Sequence, residues 1–187
     1  QISIQQLFTN PTIAQLARLP ATRIIDEDHE LVTGTFPILP NNYWFFRRLD
    51  PNYWNASMIA EVTGRYTADV MQKGIALLLE HHDALRSRWL MQDGRWHQHI
   101  PHPDDVAPWW RVVDFTHTPD DRVPHEIESL CSAAQMSLDI TRVLFRAIYF
   151  DLGENRNPRI VLIVHHLLID AFSQSILMQD LDYACAL

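Results

Sequence analysis

The strongest constraint on the fold is the run Arg159-Ile160-Val161-Leu162-Ile163-Val164, which ends at two adjacent histidines. A nearly unbroken apolar, β-branched stretch of this kind predicts a strand covered on both faces. The chain must therefore place layers on each side of a sheet. The sequence continues His165-His166-Leu167-Leu168-Ile169-Asp170-Ala171-Phe172-Ser173. Ser173 can cap a following helix that carries Ile176, Leu177, Asp180, Leu181 and Ala184. Reactive side chains thus fall where a rigid strand ends. A neutral imidazole there can accept a proton from an attacking amine or hydroxyl. Neighbours along a strand point to opposite faces, so only one of the two histidines can serve a given cleft. Asp170, close to the buried strand, calls for a cation or several donors. The same residues also fit a plainer reading, two packed histidines and a helix-capping aspartate.

With 187 residues, 47% of them hydrophobic and 20% charged, the chain is long enough for one globular domain with its own core. A net charge of −8 without a basic cluster argues against a nucleic-acid partner. No apolar run is long enough to predict a membrane span, and the N-terminus lacks a signal-peptide pattern. Cys131 and Cys185 have no metal or redox spacing and read as buried thiols of a reducing, cytoplasmic setting.

Taken in order, residues 1–20 read as helical, with Ile4, Leu7 and Phe8 on one stripe and Thr12 capping a second turn. Residues 21–33 are polar and acidic and read as a linker. Residues 34–46 carry Pro37 and Pro40, which predict an extended segment anchored by Trp44, Phe45 and Phe46 in the core. Met58–Thr63 reads as a strand, and Thr67 caps a helix over Ala68–His81. Leu85–Met91 and Arg95–Ile100 predict a hairpin across Asp93-Gly94. Then come a loop over Pro101–Pro108, a strand over Trp109–Phe115, a helix over Pro124–Met136 and a strand over Val143–Leu152. Five or six strands alternating with three helices predict an α/β architecture, a mixed sheet packed with helices.

A second stretch, His81-His82-Asp83-Ala84-Leu85-Arg86, joins the first in a pattern. Together they resemble the condensation domains of non-ribosomal peptide synthetases, which carry HHxxxDG as the active-site motif and (R/H)H(D/E)xLR upstream. Gly34-Thr35-Phe36-Pro37-Ile38-Leu39-Pro40-Asn41-Asn42-Tyr43-Trp44-Phe45-Phe46 resembles the family's opening motif, and Trp54-Asn55-Ala56-Ser57 its WNxS. Leu7-Phe8-Thr9-Asn10-Pro11-Thr12-Ile13-Ala14-Gln15-Leu16-Ala17 resembles the last helical segment of an acyl or peptidyl carrier protein.

The resemblance implies a chloramphenicol acetyltransferase-like lobe over 34–187, the N-terminal half of a two-lobe domain. It also implies a carrier tail over 1–20 and a linker over 21–33. It implies amide bond formation between acyl or aminoacyl thioesters, with substrates carried on the phosphopantetheine of upstream and downstream carrier proteins and no cofactor held by this chain itself. His166 is then the catalytic residue, and His165 packs structurally. Asp170 is expected to form a salt bridge with Arg86, with Arg88 in reserve, and His82 and Asp83 to be structural. No metal site is expected, because no third ligand has suitable spacing near His81 and His82. The missing C-terminal lobe is expected to complete the site, so the chain alone is expected to be inactive.

Two positions depart from the pattern. Ala171 stands where the family has glycine, which would strain a turn that needed positive φ. Asn42 stands where the opening motif has glutamine. Epimerization domains of the same superfamily share HHxxxD but carry tryptophan where this chain has Gln174. An epimerization domain and a non-catalytic carrier-docking module remain the alternative readings.

Overall fold

The computed structural model describes residues 4–19, 30–47, 51–63, 66–106 and 110–187. The chain divides into two compact units, residues 1–30 and 31–187. In the first, α1 (Ile4–Thr9) is followed by α2 (Ile13–Leu16). Thr12 and Gln15 form a reciprocal capping box at the start of α2, which is why so short a helix has a defined beginning. The linker reading over 21–33 lies mostly outside the described residues.

The second unit holds two sheets. The three-stranded one has the order β1 (Gly34–Pro37), β4 (Arg95–Ile100), β3 (Arg88–Gln92). The four-stranded one has the order β2 (Asn55–Glu61), β7 (Arg159–His165), β6 (Phe145–Asp151), β5 (Trp110–Asp114). β7 pairs antiparallel with β2 and β6, and β5 runs parallel to β6, so this sheet is mixed as expected. The number and partition of strands differ from a single sheet of five or six because pairing is a long-range property that local pattern does not encode.

Both faces of β7 are covered. Ile160, Leu162 and Val164 pack with Met71, Ile75, Leu78 and Leu79 of α4 (Ala68–His81) and Leu177 and Leu181 of α6 (Ala171–Ala186). Val161 and Ile163 pack with Val123, Ile127 and Ala134 of α5 (Val123–Met136). This helix–sheet–helix sandwich is the reason β7 has no polar alternation. Leu162, Ile163 and Val164 are fully buried, each stabilising the fold by about 1.5–3 kcal/mol. α4 and α6 come close where α4 has Gly74, since a Cβ there would stand 2.5 Å from the Cys185 sulfur. Cys185 is buried, which pushes its thiol up to about 11, whereas Cys131 is only half-buried.

Two local readings are corrected. Residues 40–46 are not extended: Pro40 opens a helix, α3 (Pro40–Phe46). A proline at the first helical position costs no hydrogen bond and is preset to helical φ, so the signal was a helix start. The β3 strand begins at Arg88, not Leu85, because Asp83–Arg86 form a 3-10 turn that buries Leu85 and Arg86. The hairpin itself stands as read. Asp93 and Gly94 have φ of 52° and 73°, the two positive values that a tight hairpin needs, and Gln92 pairs with Arg95. No helix among the described residues is long and apolar enough to cross a membrane.

Candidate active site

β7 ends at His165, and His166 opens the turn into α6. His165 is completely buried, whereas His166 is exposed. Hydrogen bonds separate the two rings further. The carbonyl of Pro51 can only accept, so His165 Nε2 donates to it at 2.7 Å and carries the proton. His165 Nδ1 then accepts from the Leu167 N–H at 3.1 Å. Both nitrogens are committed to the backbone. Burial, the largest influence, lowers the pKa of His165 to about 4, so the ring is neutral at neutral pH.

His166 is held differently. Its backbone N–H donates to the Trp54 carbonyl at 2.8 Å, which fixes the turn. Its Nδ1 lies 3.3 Å from the Ile169 carbonyl and donates to it. In the neutral ring that leaves Nε2 as the basic nitrogen. His166 lines a cleft of about 590 Å³ with Leu39, Asn42, Trp44, Phe45, Trp54 and Ser173 among its walls. Trp54 packs edge-on against His166 at 6.4 Å between ring centroids, and Phe45 against His165 at 5.5 Å.

Trp44 and Phe45 come from the opening stretch, which sequence reasoning assigned to the core alone. Phe46 does pack inward, stacked on Trp96 at 4.6 Å. Trp44 is 56% exposed and forms cleft wall instead. A signal was present: on a seven-residue helix, Trp44 and Phe46 cannot share one face.

The expected salt bridge between Asp170 and Arg86 does not form. Asp170 is the N-cap of α6, exposed, and accepts from the Ser173 N–H and the Ser173 hydroxyl, both at 2.7 Å. These bonds, the backbone one first, hold its carboxyl below the usual carboxylate range. Ser173 is therefore the third residue of α6, not its cap. The chain is still extended at Asp170 (φ −113°, ψ −179°), so the helix starts at Ala171, and aspartate caps as well as serine while its charge suits the helix N-terminus. Ala171 is the first helical residue with no positive φ, so alanine in place of glycine is unstrained there.

Arg86 is fully buried, and all five of its N–H donors are spoken for. Nε donates to the Pro101 carbonyl, Nη1 to Leu79 and Glu80, and Nη2 to Val32 and Asp83. Leu79 and Glu80 belong to the last turn of α4, whose carbonyls have no intrahelical partner. Arg86 thus caps that helix end and ties it to the segments at Val32 and Pro101. The reserve candidate, Arg88, lies on β3 opposite His99, and no ion pair links it to Asp170.

His82 is the C-cap of α4, and its Nε2 lies 2.9 Å from Asp180 Oδ2 on α6. His81, His82 and Asp180 bring one ligand atom each to within 4.8 Å of one another. Sequence spacing placed no third carboxylate or imidazole near the two histidines, whereas in the fold Asp180 reaches His82 from another helix, 98 residues on.

The site thus sets a histidine committed to the backbone beside one that lines a cleft, at the end of a sandwich strand. The chain belongs to the Condensation domain family, whose match runs over residues 33–187. It is 38% identical to one component of the linear gramicidin synthase of Brevibacillus parabrevis, over 96% of this chain and 4% of that protein. A second component of the same synthase is 36% identical over 98% of this chain and 2% of that protein. The chain thus spans only a few per cent of the length of these relatives. Among solved structures, the epimerization domain from the third module of tyrocidine synthetase B superposes with a TM-score of 0.77 at 23% identity, over 86% of this chain and 36% of that one. The starter condensation domain of rhizomide synthetase gives 0.68 at 17% identity, over 80% and 38%. These likenesses establish the fold, a chloramphenicol acetyltransferase-like part of a lobe.

Proposed function

We propose that this chain is the N-terminal lobe of a domain that forms an amide between two carrier-bound substrates, with His166 as the catalytic residue. The amine of one substrate attacks the thioester carbonyl carbon of the other. A C–N bond forms, the C–S bond breaks, and the proton leaving the amine passes through His166 Nε2 to the departing thiolate. The carrying observation is the contrast between the two histidines: His165 has both nitrogens committed, and His166 keeps Nε2 basic beside an open cleft. Asp170 and Arg86 support the site separately, one by starting α6 and the other by holding the end of α4.

On this reading the partners are upstream and downstream carrier proteins that present acyl groups on phosphopantetheine, and a C-terminal lobe that closes the cleft. Residues 1–20 are the tail of an upstream carrier, and a reducing, cytoplasmic setting suits the free thiols of Cys131 and Cys185. The test supplies two loaded carriers to the two-lobe domain and follows the transferred acyl product. His166→Ala is expected to lower the rate by about 10²–10⁴-fold. A rate unchanged in His166→Ala overturns the assignment, and epimerised substrate without transfer would identify an epimerization domain.

A further inference from the structure

We propose that His81, His82 and Asp180 form a binding site for a divalent transition-metal ion of the zinc type, with a coordination position left for water. The cluster lies at the junction of α4 and α6 and plays no part in the chemistry assigned to His166. Two imidazoles and one carboxylate are a ligand set that zinc accepts, with a fourth position open.

The distances suit it. Ligand atoms at zinc bonding distance in a tetrahedral site stand about 3.3 Å from one another. His82 Nε2 and Asp180 Oδ2 are 2.9 Å apart, so they need to open by only a few tenths of an ångström. The three ligand atoms all lie within 4.8 Å of one another. His81 is exposed at the last position of α4, next to His82. The His81 and His82 rings already meet edge to face at 4.8 Å. A hydrogen bond between His82 and Asp180 needs only two residues, and His81 supplies the third ligand that a metal requires.

Helix packing holds two of the ligands together. In the metal-free protein His82 Nε2 donates to Asp180 Oδ2, and a bound metal would displace that proton. The close fit of Gly74 against Leu181 and Cys185 fixes α4 against α6 and so sets Asp180 beside His82. Bound metal would pin the end of α4 to the helix that begins at Asp170 on the cleft.

The test titrates the metal-free chain with Zn²⁺ by calorimetry and with Co²⁺ by visible absorption. The expected result is saturable binding of one ion, Co²⁺ bands of four-coordinate geometry, and a melting temperature that rises with Zn²⁺. His81→Ala and Asp180→Asn change an exposed and a half-buried side chain, and each is expected to weaken binding by at least about tenfold. His97→Ala with His99→Ala, a pair on β4, is the control and is expected to leave affinity unchanged. Absence of saturable binding, equal affinity in His81→Ala and Asp180→Asn to that of the unaltered chain, or loss of binding in the β4 control would each overturn the proposal.

Discussion

Burial makes His165 a stability element with a pH dependence. Its pKa falls from 6.5 to about 4 on folding, so the unfolded chain binds the proton more tightly. Stability therefore rises with pH across that window: the contribution is complete above about pH 6.5 and is lost as the pH falls towards 4, by roughly 2–3 kcal/mol. Urea melts between pH 7 and 4 are expected to show this slope, and His165→Gln to flatten it; an equally steep slope in the variant would remove His165 as its source. Arg86 gives a second residue-scale expectation. Arg86→Lys keeps the charge but has three donors for five acceptors. It is expected to cost about 2–3 kcal/mol in denaturant melts, because buried carbonyls lose their partners. Asp170→Ala is expected to lower the melting temperature by less than Arg86→Lys does, since it removes an exposed cap and leaves no buried charge unpaired. The reverse order would mean that the exposed cap holds more of the fold together than the buried guanidinium does.

At the scale of elements, the contact between α4 and α6 makes a prediction that runs against helix propensity. Alanine is the better helix former, yet Gly74→Ala would drive a Cβ to 2.5 Å from the Cys185 sulfur and 3.2 Å from Leu181. Overpacking of this kind is expected to destabilise by about 1–3 kcal/mol. Cys185→Ala in the same molecule should restore most of it, so the double variant is expected to be more stable than the sum of the single effects. Simple additivity in thermal melts would show that the helices separate instead. The α3 helix has a related lesson. Pro40 and the aromatic run after it were legible as a special segment, but the turn of helix decides that Trp44 walls the cleft while Phe46 packs on Trp96.

At the scale of the whole molecule, exposure around His166 is the consequential feature. Leu39 is 63% exposed, Trp44 56% and Phe172 78%, all beside an open cleft or the start of α6. On the proposed function, this apolar surface beside His166 is where a second lobe would pack. On the same reading, His166 open to water would lack the positioning and the dry surroundings that make fixed dipoles effective. The 187-residue chain assayed alone with loaded carriers is therefore expected to give no acyl transfer above background, whereas the two-lobe domain does. A rate for the chain near that of the two-lobe domain would show that one lobe suffices.

What the sequence determined by itself is what short-range pattern and composition can carry. The apolar run over Arg159–Val164 required a doubly covered strand, Thr67 and the 3.6-residue stripe required α4, and Asp93-Gly94 required the hairpin. Alternation predicted opposite surroundings for His165 and His166, and the structure buries the first and exposes the second, although the strand ends between them. Tertiary structure alone decided the partners. Arg86 turned from Asp170 to the end of α4 because all its donors found acceptors within reach there, and Asp170 was satisfied by the N-terminus of its own helix. Asp180 met His82 because two helices pack at Gly74, a contact between residues 98 apart. Local propensity fixes which residues form an element and which face is apolar; only the packing of those elements fixes which polar groups meet, since each finds its lowest free energy with whatever partner the fold brings near.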